Sequence, residues 1–352
     1  GYIDSSSADG LREIFYKEFN HLYIFNLRGN QRTSGEQSRK EGGKIFGSGS
    51  RAPIAISILV KDGSDSHEIH YHDIGDYLSQ KDKLKIISEF GSVEGINWAK
   101  VTPDDNNDWI NQRDPNYSKY SSLYSKTGNS IFIDKTTGIT TGRDAWIVGF
   151  SKDSVEQNTK RMVKNYNSEL KRLDLLKSNE NVKNIVNNDP SFIKWDDNLL
   201  KKAHKKQVIT LNSGDIVEYL YRPFTKKWIW YDKQMIQRTR NFDKIFAGPN
   251  EVLYTTGMGS NYFSTIYTTM MIDKGAMSSG QAFYVNKHSD SSLFQINNIN
   301  NAVIEKLGLN SDEVIPYLYA VLNSSEYKEK YLNNLTKEVA RIPRLKNKCK
   351  YV

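Results

Sequence analysis

The hydrophobic pattern changes character along the chain. From Ala8 to Phe19 apolar residues recur at helical spacing: Leu11, Ile14, Phe15 and Phe19 share a face, with Ser and Asp residues before them as N-cap candidates. Leu22 to Phe25 predicts a short strand, and residues 53–61 form a near-continuous β-branched run. After the turn at Asp62-Gly63-Ser64, Glu68 to His72 predicts another strand. The unbroken run over 53–61 reads as a strand buried on both faces inside an α/β sheet. Asp82 to Phe90 predicts a helix with Leu84, Ile87 and Phe90 inward, whereas residues 101–145 are polar, Gly-rich and irregular.

Ser151 then opens a long helical pattern to about Lys177, with Val155, Met162, Tyr166, Leu170 and Leu173 on one side and many Lys and Arg between them. It reads as a connector helix with a solvated basic face rather than as a direct nucleic-acid contact. A domain boundary near 150 fits this change. Beyond Asn187-Asn188-Asp189-Pro190 the strand candidates are short, aromatic-rich and turn-bounded: Ile216 to Phe224, Lys227 to Tyr231, Val252 to Thr256, Phe263 to Met270 and Ala282 to Val285. The end is helical again over Ile299 to Leu307, Asp312 to Leu322 and Ser325 to Leu335. The order predicts an α/β fold followed by α+β.

Composition narrows the class. A chain of 352 residues has room for two domains, and 38% hydrophobic residues is an ordinary globular share. The sequence has neither a long apolar span nor a signal-like start, which argues against a membrane segment or secretion and makes the cytoplasm the simplest location. The single cysteine, Cys349, excludes an internal disulfide framework and any multi-cysteine metal site. A formal charge of +8 points weakly to an acidic partner; where the charge lies matters more.

Much of it lies in the loop over 27–51. Arg28, Arg32, Arg39, Lys40, Lys44 and Arg51 face only Glu36 and Glu41 there, and six glycines allow close backbone approach. Arginine forks match phosphate oxygens, while the competing reading is a solvated loop. Phe46 sits at its centre among glycines: either a stacking platform or a ring tucked into the core, where Phe usually lies. His67, His70 and His72 suggest a metal. With no nearby carboxylate or cysteine set in view, polar positions on a half-exposed strand are the preferred reading.

The strings Ile3-Asp4-Ser5, Ala8-Asp9-Gly10-Leu11-Arg12, Phe25-Asn26-Leu27-Arg28-Gly29-Asn30-Gln31-Arg32 and Arg39-Lys40-Glu41-Gly42-Gly43-Lys44-Ile45-Phe46-Gly47-Ser48-Gly49-Ser50-Arg51 resemble the methyltransferase part of type ISP restriction–modification enzymes. The stretch around Phe46 resembles the motif of γ-class adenine-N6 DNA methyltransferases whose aromatic ring stacks on a flipped adenine. Leu220-Tyr221-Arg222-Pro223-Phe224, Trp228-Ile229-Trp230-Tyr231-Asp232 and Arg341-Ile342-Pro343 resemble the target recognition domain that follows in such enzymes. The likeness implies the closing half of a Rossmann-like methyltransferase sheet over 1–150, a connector helix over 151–177, and a small β-rich target recognition domain with C-terminal helices over 178–352.

It also implies double-stranded DNA as partner, together with upstream methyltransferase, helicase and nuclease modules of the same polypeptide. Phe46 would stack on the flipped base, since a base must leave the duplex to be methylated. The DNA face would draw on the loop cations and on Arg143, Arg222, Lys226, Lys227, Arg238 and Arg240, with Asn241 and Asn261 as base readers. S-adenosylmethionine serves the parent enzyme. Neither the donor-binding glycine loop nor the Asn/Asp-Pro-Pro-aromatic tetrapeptide precedes Phe46, and Asp114-Pro115-Asn116-Tyr117 has one proline too few and reads as a turn. Both ends look cut, which suggests a fragment that alone neither binds the donor well nor methylates. The alternatives are a stand-alone basic protein binding an acidic protein, or a nuclease fragment, which would need a carboxylate–lysine metal cluster.

Overall fold

The computed structural model describes residues 1–47, 49–176, 181–211, 216–289 and 294–345, so Cys349 lies outside the described residues. One unit comprises Gly1–Lys119 and the returning segment Glu329–Ala340; the other comprises Tyr120–Lys328 and the chain from Arg341. The units therefore divide at 119/120 and not near 150.

The first unit contains helix α1 (Asp9–Glu18), strand β1 (His21–Arg28), helix α2 (Gly35–Glu41), strands β2 (Ile54–Val60) and β3 (Glu68–Asp73), helix α3 (Gln80–Phe90) and strand β4 (Ala99–Val101). They form a sheet in the order β2-β1-β3-β4, with β1 antiparallel to β2 and parallel to β3. Alternation makes β1 the strand buried on both faces. Leu22 and Ile24 pack with Ile3, Ile69 and Trp109 on one side, and Phe25 and Leu27 with Ile74 on the other.

The β-branched run over 53–61 corrects the expectation drawn from it. Strand β2 lies at the sheet edge among the described residues, and Ile56 and Ile58 are 42% and 41% exposed. Branched side chains favour the extended backbone, but they do not say which neighbours will pair. The predicted helix faces shift likewise. In α1, Phe15 and Phe19 pack inward, but Leu11 and Ile14 are exposed and Arg12 is fully buried, donating to Asp108 at 2.7 Å. In α3 the buried residue is Lys83 and Leu84 faces solvent, while Ile87 and Phe90 pack as expected.

The C-terminal helix predicted over 325–335 breaks at Tyr331. Its second half, Leu332–Lys337, belongs to the first unit, where Lys337 lies 3.0 Å from Asp4 and 3.3 Å from Asp108. Asn334 accepts from the backbone of Asp114 at 2.9 Å, holding the turn at Pro115.

In the second unit, strands β5 (Ser121–Tyr124) and β6 (Ser130–Phe132) pair in parallel inside the stretch expected to be irregular, and Arg341–Ile342 adds an antiparallel edge. Helix α4 (Asp144–Ile147), strand β7 (Val148–Gly149) and helix α5 (Lys152–Leu176) lead to a hairpin of β8 (Ile216–Arg222) and β9 (Thr225–Trp230). Strand β7 pairs with β9, so residues just before 150 are built into this sheet. Helix α5 is not a free connector. Its Val155, Met162, Tyr166 and Leu170 are buried in one core with Tyr219, Ile229, Val252 and Tyr254. A second antiparallel sheet is built on Val252–Thr255, and helices Asn301–Leu307 and Ser311–Asn323 follow. The architecture is mixed α/β with several small sheets and C-terminal helices. Among the described residues no helix is long and apolar enough to cross a membrane.

Candidate nucleic-acid interface

The loop leaving β1 is shaped by a buried lysine. Lys83 Nζ donates to the carbonyls of Leu27 at 2.9 Å, Glu41 at 2.7 Å and Gly43 at 2.8 Å. Burial lowers its pKa from the ordinary lysine value, an effect that Glu41 partly offsets. Gly43 presses on the start of α3 so closely that a Cβ there would meet the Gln80 nitrogen at 2.4 Å. Held this way, the loop carries α2 and presents Phe46, a residue 58% exposed, outside the core.

The loop cations divide by environment. Arg28 is occupied: Nε donates to Asp73 at 2.7 Å and a terminal nitrogen to Asp76. Burial alone pulls its pKa down, but the bonds and charges of the two aspartates outweigh that and leave it raised. Arg28 thus secures the base of the loop at a left-handed φ of 55°. Arg39 pairs with Glu36 at 2.6 Å on the exposed face of α2, and Arg51 donates to the Gln31 carbonyl at 3.2 Å. Arg32 is exposed; Lys40 and Lys44 are half-buried.

In the second unit Arg143 corrects a sequence expectation. It is fully buried, donates to Asp196 at 2.6 Å and to the Met235 carbonyl, and so sits inside the unit, not on a binding face. An arginine in a Gly-Arg-Asp turn looks exposed from sequence, and only the fold reveals the buried acid opposite it. Arg238 and Arg240 behave differently. They line a cleft of about 470 Å³ with Thr136, Asn198, Gln237 and Asn241. Backbone bonds from Arg238 to Thr140 at 2.9 Å and from Gln237 to Thr141 at 3.2 Å fix its wall.

Arg240 and Asn241 are both left-handed, at φ 61°. Such backbone is uncommon away from glycine, although asparagine tolerates it. Among the described residues neither arginine has a carboxylate partner, and burial followed by the charge of Arg238 lowers the Arg240 pKa from its ordinary value. Two close, uncompensated guanidinium groups favour an anion between them. Asn241 starts a short helix without a side-chain cap bond, which leaves its amide facing solvent.

The β8–β9 hairpin adds a second basic feature. Arg222 and Lys227 both lie 3.9 Å over the Tyr221 ring, Arg222 also donates to Asp273 at 3.1 Å, and Lys226 is exposed. Phe224 at the tip is 99% exposed and Phe150, 4.6 Å under Lys227, is 75% exposed. Phe150 escapes the sequence reading, and Phe224 enters it only within the Leu220–Phe224 string; the available signal was an aromatic next to Pro223 between two strand patterns. Asn261 is exposed in a separate turn and does not line the cleft.

The three histidines separate as well. His67 Nδ1 donates to the Phe19 carbonyl (2.9 Å) and His72 Nδ1 to the Asn97 carbonyl (2.8 Å), whereas His70 faces Glu68 and His21. His21 was not considered from sequence, because the parallel pairing of β1 with β3 that places it there is not visible in the pattern.

The family described as Type ISP C-terminal specificity domain matches residues 130–352. Over its whole length the chain is 44% identical to the Type ISP restriction-modification enzyme LlaGI, solved as a nuclease-deletion mutant in complex with a DNA substrate mimic, with a TM-score of 0.87 and 28% of that chain covered. It is 30% identical over 99% of its length to the ATP-dependent Type ISP enzyme LlaBIII bound to DNA, at a TM-score of 0.84 and 24% of that chain. The DrdV–DNA complex shares the fold at 24% identity, with a TM-score of 0.83 over 99% of this chain and 36% of that one. No curated protein matches. The chain thus spans between about a quarter and a third of these relatives, and it belongs to the Type ISP restriction–modification enzyme family.

Proposed function

We propose that this chain selects the target site on double-stranded DNA for a Type ISP enzyme. The observation that carries the reading is the cleft around Arg238 and Arg240, two cations without carboxylate partners among the described residues, inside the span matched by the specificity domain. Arginine at a fixed position reads guanine or grips phosphate, and asparagine reads adenine, so Arg238, Arg240 and Asn241 form a compact reading set. The DNA present with LlaGI and LlaBIII supports the same partner here.

The first unit, in this reading, closes a Rossmann-like adenine-N6 methyltransferase sheet. The outer edge of β2, with Ile56 and Ile58 exposed, suits a further strand from upstream of this chain. Phe46 stacks on the flipped adenine, and Arg32 with the other loop cations holds the neighbouring phosphates. S-adenosylmethionine supplies the methyl group in the parent enzyme; this chain's own residues hold the base and the duplex, not the donor. Helicase and nuclease modules of the same polypeptide are the remaining partners, and the cytoplasm is the location.

Selection from random duplex DNA with the purified chain, followed by anisotropy at two salt concentrations, tests the reading. An enriched asymmetric motif is expected. Affinity for it is expected to fall by orders of magnitude between about 50 and 200 mM salt, as counterion release requires for several phosphate contacts. Absence of binding at low salt would overturn it and favour a protein partner.

A further inference from the structure

We propose that His21, Glu68 and His70 form a binding site for a divalent transition-metal ion, with zinc as the natural fit. The inference stands on the first unit alone and does not depend on the DNA reading. Parallel pairing sets His21 of β1 directly beside Glu68 of β3, and His70 follows two residues on along the same face. Glu68 Oε2 lies 3.4 Å from His70 Nε2 and 3.9 Å from His21 Nδ1, and the three ligand atoms lie within 4.8 Å of one another. Donors about 2.0–2.2 Å from a tetrahedral zinc stand roughly 3.4 Å apart, so the Glu68–His70 pair already has that spacing and side-chain adjustment on the order of an ångström brings in His21. Two imidazoles and a carboxylate leave a fourth position for water.

The nitrogens aimed at Glu68 are orphaned. His21 Nδ1 and His70 Nε2 are both buried atoms without a hydrogen-bond partner. Buried polar atoms are nearly always satisfied, and a pair of unsatisfied lone pairs converging on one carboxylate oxygen asks for a cation. The outer groups are arranged to hold the ligands. Asp62 sits 3.2 Å from His21 Nε2, which places the proton on that nitrogen and turns the Nδ1 lone pair inward. Asn20 fixes the Asp62 turn by accepting from the backbone of Asp62 at 3.0 Å and donating to the carbonyls of Ser64 and Ser66. Lys100 grips Glu68 Oε1 at 2.5 Å and leaves Oε2 facing the imidazoles; its charge also keeps affinity moderate. His70 stacks on Tyr23 with ring centroids 4.6 Å apart, which fixes its plane.

The site lies at the start of β1, about 23 Å along the strand from Arg28 and the Phe46 loop. A metal there clamps β1 to β3 and takes no part in base handling.

Cobalt(II) and zinc binding to the full chain test the proposal. A visible cobalt absorption of tetrahedral type is expected, bleached by zinc, together with a zinc-dependent rise in melting temperature. His70→Gln should abolish both, while the control His67→Gln, whose ring is tied to the Phe19 carbonyl, should keep both. Should His70→Gln fail to fold, Asp62→Asn decides: loss of the outer carboxylate is expected to weaken zinc binding about 10–100-fold. Absent cobalt absorption in the intact chain, or binding that neither His70→Gln nor Asp62→Asn weakens, would overturn the proposal.

Discussion

Lys83 donates from its buried ammonium to the carbonyl of Gly43 at 2.8 Å, and this bond ties the Phe46 loop to helix α3. The same nitrogen reaches the carbonyls of Leu27 and Glu41, so all three of its hydrogen bonds go to the backbone. Such a charge tolerates burial only while every partner stays in place. Lys83→Met is therefore expected to cost more than one hydrogen bond, since each buried carbonyl left unsatisfied costs about 1–3 kcal/mol. Urea unfolding should show the loss, and hydrogen exchange over 29–47 should rise. Unchanged exchange there would mean that the glycine contacts alone hold the loop.

Arg143 and Arg238 separate stability from binding. Arg143→Ala leaves Asp196 without its buried partner and is expected to destabilise the chain by about 3–5 kcal/mol. Arg238→Ala should leave the melting temperature within a degree or two of the parent. It should lower DNA affinity and relax discrimination at one base pair by about 1–3 kcal/mol if the contact is to a base, or weaken all sequences alike if it is to phosphate. Anisotropy on matched and mismatched duplexes distinguishes the two.

Exposed rings make the complementary case. Phe46→Ala and Phe224→Ala remove side chains that stabilise little in the folded chain, so stability should move by no more than about 0.5 kcal/mol. In a reconstituted parent enzyme Phe46→Ala should weaken preference for a mismatched, easily flipped adenine by about 1–3 kcal/mol, the worth of one stacked base. Intact preference would assign Phe46 no role in base handling.

Much of the fold was legible where periodicity is local. Three of the four strands of the first sheet and the limits of α3 and α5 lie close to the apolar pattern, and the family strings around Phe46 and Phe224 pointed to Type ISP enzymes. What escaped depends on pairing between distant segments. Strand β2 looked interior because its β-branched run reports backbone preference, and its edge position follows only from the order β2-β1-β3-β4. Arg12, Lys83 and Arg143 looked like surface cations because their partners, Asp108, the loop carbonyls and Asp196, are remote in sequence. Helix α5 looked like a connector because its basic face conceals how completely the opposite face is covered. The cleft cations were found as candidates, but nothing in the sequence distinguished Arg238 from Arg143.

Glu169 gives the pH test for the second unit. Its carboxylate accepts from Arg172 at 2.9 and 2.5 Å and from the backbone of Asn187 at 2.7 Å, joining α5 to the segment after it. The Arg172 bonds above all, then the Asn187 amide against the opposing effect of burial, hold its pKa below the ordinary value of 4.5. Because the folded pKa lies below the unfolded one, the unfolded chain binds the proton first as pH falls. The stabilisation is thus complete above pH 4.5, declines below it, and is gone once pH has passed through the depressed folded pKa. Glu169→Gln removes the charge in the bonds and should cost about 1.5–3 kcal/mol at neutral pH, the usual worth of hydrogen bonds to a charged group. The difference between parent and variant should shrink as pH drops through that window. Urea midpoints measured for both chains at stepwise lower pH check the sign: curves that stay parallel would show that Glu169 titrates alike in the folded and unfolded chains.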